Sequence, residues 1–139
     1  MVSKNCDFCD TKDVDWRIIR TNKLVYSCVA KHWFTPNDCL VIPIRHVTKP
    51  SDLTPEEGTE VMLELGRLSS LLDKGFGTGI MQKYQPLQPE NGIKMNHLHF
   101  HVFPRLENDT RIFPSPEPNN FEGVIEANEE DIAELLKTL

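Results

Sequence analysis

Apolar and polar positions change period along the chain, and the changes mark its elements. Five short segments, "WRIIR", "LVYSCVA", "CLVIPI", "GIMQKY" and "HLHFHVF", are rich in β-branched and aromatic residues and predict five strands. Between the third and fourth lies "TPEEGTEVMLELGRLSSLLDKG", where Val61, Leu65, Leu68 and Leu72 recur at helical spacing. Thr54 stands as its cap, Pro55 takes the first helical position, Glu57 follows three past the cap, and Gly75 is its stop. A second helix, "EEDIAELLKTL", closes the sequence after a proline-rich stretch, "FPSPEPNNFEG", for which no regular structure is predicted. An apolar helix stripe needs a sheet to cover, so the pattern predicts an α+β fold, one domain over residues 1–139 without internal repeats.

The last strand segment carries unusual chemistry. In "NHLHFHVFPR" three histidines occupy alternate positions, so His97, His99 and His101 share one strand face and Leu98, Phe100 and Val102 the other. Neighbouring imidazoles on that face would lie ~7 Å apart, two strand rises. Three readings compete for the row. The histidines are merely tolerated on a half-buried strand; or they are metal ligands; or one is a nucleophile with its neighbours as hydrogen-bonding and proton-transfer partners.

Composition narrows the setting. A net charge of −6 lacks the broad positive field that nucleic-acid binding relies on, so any anionic ligand must be held locally. No apolar run approaches the ~20 residues of a membrane span, and "MVSKNCDFCD" has no apolar signal core, which makes the cytoplasm the expected compartment. Four cysteines in such a setting read as thiols or metal ligands. Cys6 and Cys9 have the CxxC spacing of a zinc knuckle, and His46, after "LVIPI", would complete a closed Cys₂His₂ site together with one edge histidine of the row. Cys28 and Cys39 lie inside apolar strands and read as small core residues, while His32 has no comparable company.

The row of histidines followed by two apolar residues and "PR", with "LVIPIRH" upstream, "CDFC" near the start and the long helix between, closely resembles the histidine triad (HIT) superfamily. The resemblance spans nearly the whole chain. It implies a five-stranded antiparallel sheet with a long central helix and a C-terminal helix, a homodimer, and action on the α-phosphate of a small-molecule nucleotide. It further implies a structural zinc ion on Cys6, Cys9, His46 and His97, with His99 as the nucleophile forming a covalent nucleotidyl-histidine. His101 would contact the phosphate or leaving-group oxygen, and His97 would anchor the row. Gln85 matches a phosphate-binding amide with a loop about one residue longer, Lys94 stands where a Ser or Thr usually donates to phosphate, and Phe8 falls where members place an aromatic near the base.

Besides Lys94, three positions depart from the family pattern. Ala30 falls where an Asp or Asn usually binds the ribose hydroxyls, and Asn37 and Asp38 stand where Gly-His is common. The expectation is a nucleotide phosphohydrolase acting on a dinucleoside polyphosphate or related nucleotide conjugate. The alternatives are a nucleoside phosphoramidate hydrolase or nucleotidyl transferase, and a zinc-stabilised nucleotide-binding module without turnover.

Overall fold

The computed structural model describes residues 6–84, 96–107 and 125–139. The order of its elements is β1 (Ile18–Thr21), β2 (Val25–Val29), β3 (His32–Trp33), β4 (Cys39–Pro43), α1 (Pro55–Leu72), β5 (Thr78–Lys83), β6 (His99–Pro104), β7 (Ile125–Glu126) and α2 (Glu129–Leu136). All five expected strands form one antiparallel sheet in the order β1-β2-β4-β6-β5. The sequence pattern gave no hint of the small ribbon in which β3 pairs with β7. Its two-residue strands are too short to carry a period.

Helix α1 starts as its sequence predicts. Thr54 accepts from the Glu57 N–H at 3.1 Å, and the Glu57 carboxylate accepts from the Thr54 N–H at 2.9 Å, a reciprocal capping box. Its end differs from the expected glycine stop: the cap is Asp73 in an extended conformation. Gly75 and Gly77 follow with φ of 101° and 82°, and both donate to the Asp73 carboxylate. The glycines serve the turn that reverses into β5.

One line of paired residues fixes which face of the sheet the helix covers. Ser27, Val41, Phe100 and Gln82 lie opposite one another across β2, β4, β6 and β5, and Ser27 donates to Glu64 of α1. Opposed residues share a face. Val61, Leu65, Leu68 and Leu72 are all buried against this side, as the stripe predicts. Phe100 is only partly buried there, unlike Leu98 and Val102. The adjacent line, Cys28, Leu40, His101 and Met81, therefore looks away from the helix. Cys28 and Cys39 are fully buried, one on each face.

The helix also buries two glutamates that the apolar stripe does not announce. Glu64 accepts from Ser27 and from Arg67 at 2.8 and 2.9 Å. Burial pushes its carboxyl up, but the hydrogen bonds from Arg67 and Ser27 outweigh it and hold the group below the usual range. Glu57, in turn, forms a two-pronged pair with Arg45, whose Nη2 also donates to the Asp52 carbonyl. That pair ties the residue next to His46 to the start of α1. No helix among the described residues is long and apolar enough to cross a membrane.

Glu64→Ala leaves the buried Ser27 hydroxyl and the Arg67 fork without their acceptor. A loss of about 1–3 kcal/mol at pH 7 is expected in urea unfolding. Because the folded carboxyl titrates below its unfolded value of 4.5, its contribution is complete above that pH and is lost as pH falls through the folded value. The gap between wild type and variant should therefore narrow on acidification below about 4.5.

Candidate functional site

The histidine row divides at its first member. Strand β6 begins at His99, so His97 stands just outside it, correcting the expectation of three equivalent strand positions. His97 Nε2–H donates to the Pro43 carbonyl at 2.7 Å. Its Nδ1 consequently carries the lone pair and lies 3.3 Å from Cys6 Sγ and 3.4 Å from Cys9 Sγ. His46 brings its Nδ1 to 3.2 Å from Cys9 Sγ, and its ring meets that of His97 edge-on at 5.0 Å.

The four ligand atoms of Cys6, Cys9, His46 and His97 all lie within 4.8 Å of one another. The cluster could hold a metal ion. Two thiols and two imidazoles form a donor set suited to tetrahedral binding, and the Pro43 carbonyl supplies the outer hydrogen bond that orients a ligating ring. Without an ion the set is unfavourable to charge: burial pushes the Cys6 thiol up to about 11 and the His97 imidazole down to about 4. The CxxC turn that delivers the sulfurs is closed by Cys9 and Asp10 N–H bonds to the Cys6 carbonyl and pinned by Tyr26 Oη donating to the Phe8 carbonyl.

His99 faces the opposite demand. Its Nδ1 is 2.8 Å from the His97 carbonyl, which only accepts, so Nδ1 holds the proton and Nε2 of the neutral ring keeps its lone pair. Burial, aided by neighbouring His101, drives the group down to about 3, so the ring is neutral at pH 7. The His99 and His101 ring centres are 5.5 Å apart, closer than two strand rises, with their planes at 61°. His101 directs Nδ1 at the fully buried Asp38, 3.0 Å from both carboxylate oxygens.

Aromatic rings pack against the row. Phe8 meets His99 edge-on at 5.1 Å and His97 at 6.0 Å, and Phe34 meets His101 at 5.1 Å. Phe34 leans on Phe103, whose ring lies over Gly79 of the neighbouring strand. A Cβ at Gly79 would come within 2.5 Å of that ring, so any side chain there would force the ring to shift.

The HIT domain family matches residues 11–108, more than half of the chain. The chain belongs to the HIT domain family. A bis(5'-adenosyl)-triphosphatase from Dictyostelium discoideum is 32% identical over 123 residues, covering 85% of this chain and 82% of that protein. An AP-4-A phosphorylase from Mycobacterium tuberculosis is 28% identical over 70% of this chain, which spans 50% of that protein. Among solved structures, a HIT-like protein from Bartonella henselae superposes with a TM-score of 0.61 at 23% identity, covering 87% of this chain and 82% of its own. A Zn-bound histidine triad family protein from Mycobacterium smegmatis gives 0.58 at 18% identity, with 96% and 91% covered.

Phe8, Cys6, Cys9, His46, His97, His99 and His101 converge on one side of the sheet. Gln85 and Lys94 lie outside the described residues, as does the proline-rich stretch. Ala30 is buried; its N–H donates to the Asp38 carbonyl and its carbonyl accepts from Trp33 Nε1. Asn37 has φ of 80°, the left-handed region that glycine or asparagine tolerates, which explains how Asn replaces the usual glycine there. Two further residues on the histidine face were assigned no function from the sequence: Asp38, noted there only as a departure from the family pattern, and Lys83, which stands opposite His99 across β5 and β6. Strand periodicity alone could place each on a face, but only the register names its neighbour.

Zinc added to chelated, metal-free protein should raise its melting temperature. At ~1,000 times the dissociation constant the expected stabilisation is ~4 kcal/mol, on the order of 10 °C for a chain of this size. Cys9→Ser should abolish most of this rise, as read by thermal unfolding with and without chelator.

Proposed function

We propose that the chain is a HIT-type nucleotide phosphohydrolase in which His99 attacks the α-phosphorus of a dinucleoside polyphosphate or related nucleotide conjugate. The observation that carries the reading is the state of His99. A neutral ring with its Nδ1 proton engaged by the His97 carbonyl leaves Nε2 as a nucleophile at pH 7. Similarity to a bis(5'-adenosyl)-triphosphatase at 32% identity supports the substrate class.

In the first half-reaction Nε2 bonds to phosphorus and the bond to the departing group breaks, leaving a nucleotidyl-His99. In the second, water attacks phosphorus, the phosphorus–nitrogen bond breaks and the nucleoside monophosphate leaves. His101 faces the same space and serves the departing oxygen, while Phe8 borders the nucleophile on the side where a base would lie. Gln85 and Lys94 are assigned to the phosphate groups. Zinc on Cys6, Cys9, His46 and His97 has a structural role, because four protein ligands leave no open position. Free thiols in such a site suit a reducing compartment, the cytoplasm.

A homodimer completes the reading. Strand β5 ends the sheet and has no further partner strand among the described residues. Ile80 and Tyr84 on it and next to it, and Met62, Leu63 and Leu71 on α1, are large exposed apolar side chains. Such an edge and such side chains are ordinarily covered by another surface. Light scattering at micromolar concentration should give twice the 16.0 kDa chain mass; the monomer mass would remove the dimer from the reading.

His99→Ala should abolish turnover of diadenosine triphosphate, by up to ~10⁶-fold if the nucleophile is lost, with nucleotide binding largely retained. Acid quenching with isotope-labelled substrate should place the label on the peptide containing His99 in wild type and on no peptide in the variant. Near-normal hydrolysis by His99→Ala, or a label elsewhere, would refute the assignment.

A further inference from the structure

The fully buried carboxyl group of Asp38 lies against Nδ1 of His101. Burial pushes the carboxyl up, and the partners it meets, His101 and the Phe34 N–H, act against that rise. Its Oδ2 accepts the Phe34 N–H at 3.0 Å, and both oxygens lie 3.0 Å from His101 Nδ1. Among the described residues, Asp38 is the acid that meets His101. On its own strand His101 faces His99; across β5 it is opposed by Met81 and across β4 by Leu40; Phe34 packs on its ring. Lys83 stands opposite His99 across β5 and β6.

We propose that Asp38 is a positioning residue that holds the Nδ1–H of His101, fixes the ring's rotation, and so presents Nε2–H to the oxygen of the departing group. The proposal rests on the nucleotide-hydrolase reading. As Nε2 of His99 bonds to phosphorus, the bond from phosphorus to the departing oxygen breaks and its electron pair stays on that oxygen. The oxygen takes the proton from Nε2 of the His101 imidazolium. Asp38 remains a carboxylate throughout, and His101 is left neutral with its proton on Nδ1. In the return step the same Nε2 takes a proton from the attacking water as the phosphorus–nitrogen bond breaks, and the imidazolium is restored beside its carboxylate. The carboxyl of Asp38 supplies the polar partner of Nδ1–H on a ring that Phe34 covers on one side. A carboxylate behind a histidine sets both tautomer and orientation in the same way in hydrolytic triads.

The test compares wild type with Asp38→Asn, which preserves an acceptor for Nδ1–H and removes the charge. The substrates are phenyl esters of adenosine 5'-monophosphate whose phenols range from p-nitrophenol to unsubstituted phenol. A group that departs readily needs little proton transfer, so the variant should lose less than ~10-fold on the p-nitrophenyl ester and ~10²-fold or more on the phenyl ester, the scale of general-acid catalysis. Equal losses across the series, or none, would overturn the proposal.

Nitrogen-15 spectra of histidine-labelled wild type supply a readout that needs no turnover and no folded Asp38 variant. The His101 signal, assigned by its absence in His101→Gln, should show Nδ1 protonated. A bare Nδ1 would overturn the pairing. Wild-type protein inert toward every ester, with Nδ1 still protonated, would instead overturn the hydrolase reading and with it the proton transfer assigned to His101.

Discussion

His97 is the joint on which the site depends. Its Nε2–H is engaged by the Pro43 carbonyl at the end of β4, its Nδ1 points at both sulfurs of the CxxC turn, and its own carbonyl holds the Nδ1–H of His99. Three separate parts of the chain therefore meet at one buried residue. The arrangement is directional because each partner can play only one part: a carbonyl accepts, so each ring facing one must donate there and offer its lone pair elsewhere. Turning the His97 ring over would strand the Pro43 carbonyl and point a proton at the sulfurs.

Burial then separates the histidines by chemistry. Desolvation opposes charge on His97 and His99, whose nearest polar partners are carbonyls or sulfur, and keeps both rings neutral in the folded protein. His101 sits one strand pair further and meets a carboxylate. Two imidazoles whose centres are 5.5 Å apart thus have different partners at Nδ1, a backbone carbonyl for His99 and a carboxyl group for His101. The aromatic rings around them support this division. Phe8 and Phe34 each cover one ring edge-on, and Phe34 is backed by Phe103, whose ring a side chain at Gly79 would force to shift.

The opposite face of the sheet shows that buried charge is also managed away from the site. Glu64 is surrounded by Ser27, Arg67 and, at 4.0 Å, Arg20, while Glu57 combines a helix cap with a pair to Arg45. The second arrangement is structural and also serves the site, because Arg45 precedes His46 and its fork holds that turn against the start of α1. A helix terminus thereby helps place a candidate ligand on the other side of the sheet.

The strands, the long helix and its cap were legible in the sequence because their signals are local. Alternation, helical spacing and Thr54 with Glu57 act within one or two turns of chain, and the histidine row was conspicuous for the same reason. The two-residue strands β3 and β7 gave no such signal, and the departure of His97 from the strand follows from its ties to Pro43, Cys6 and Cys9, far away in sequence. CxxC spacing could announce a ligand pair, but the meeting of Cys6 with His97 joins residues 91 apart, and that of Asp38 with His101 joins residues 63 apart. The sequence marked Asp38 only as a departure from the family pattern; its burial behind an imidazole follows from the β4–β6 register. Local propensity and periodicity determined which residues could form strands and helices, whereas strand pairing and burial decided which titratable groups became neighbours and which proton each would hold, since those depend on contacts that no short segment contains.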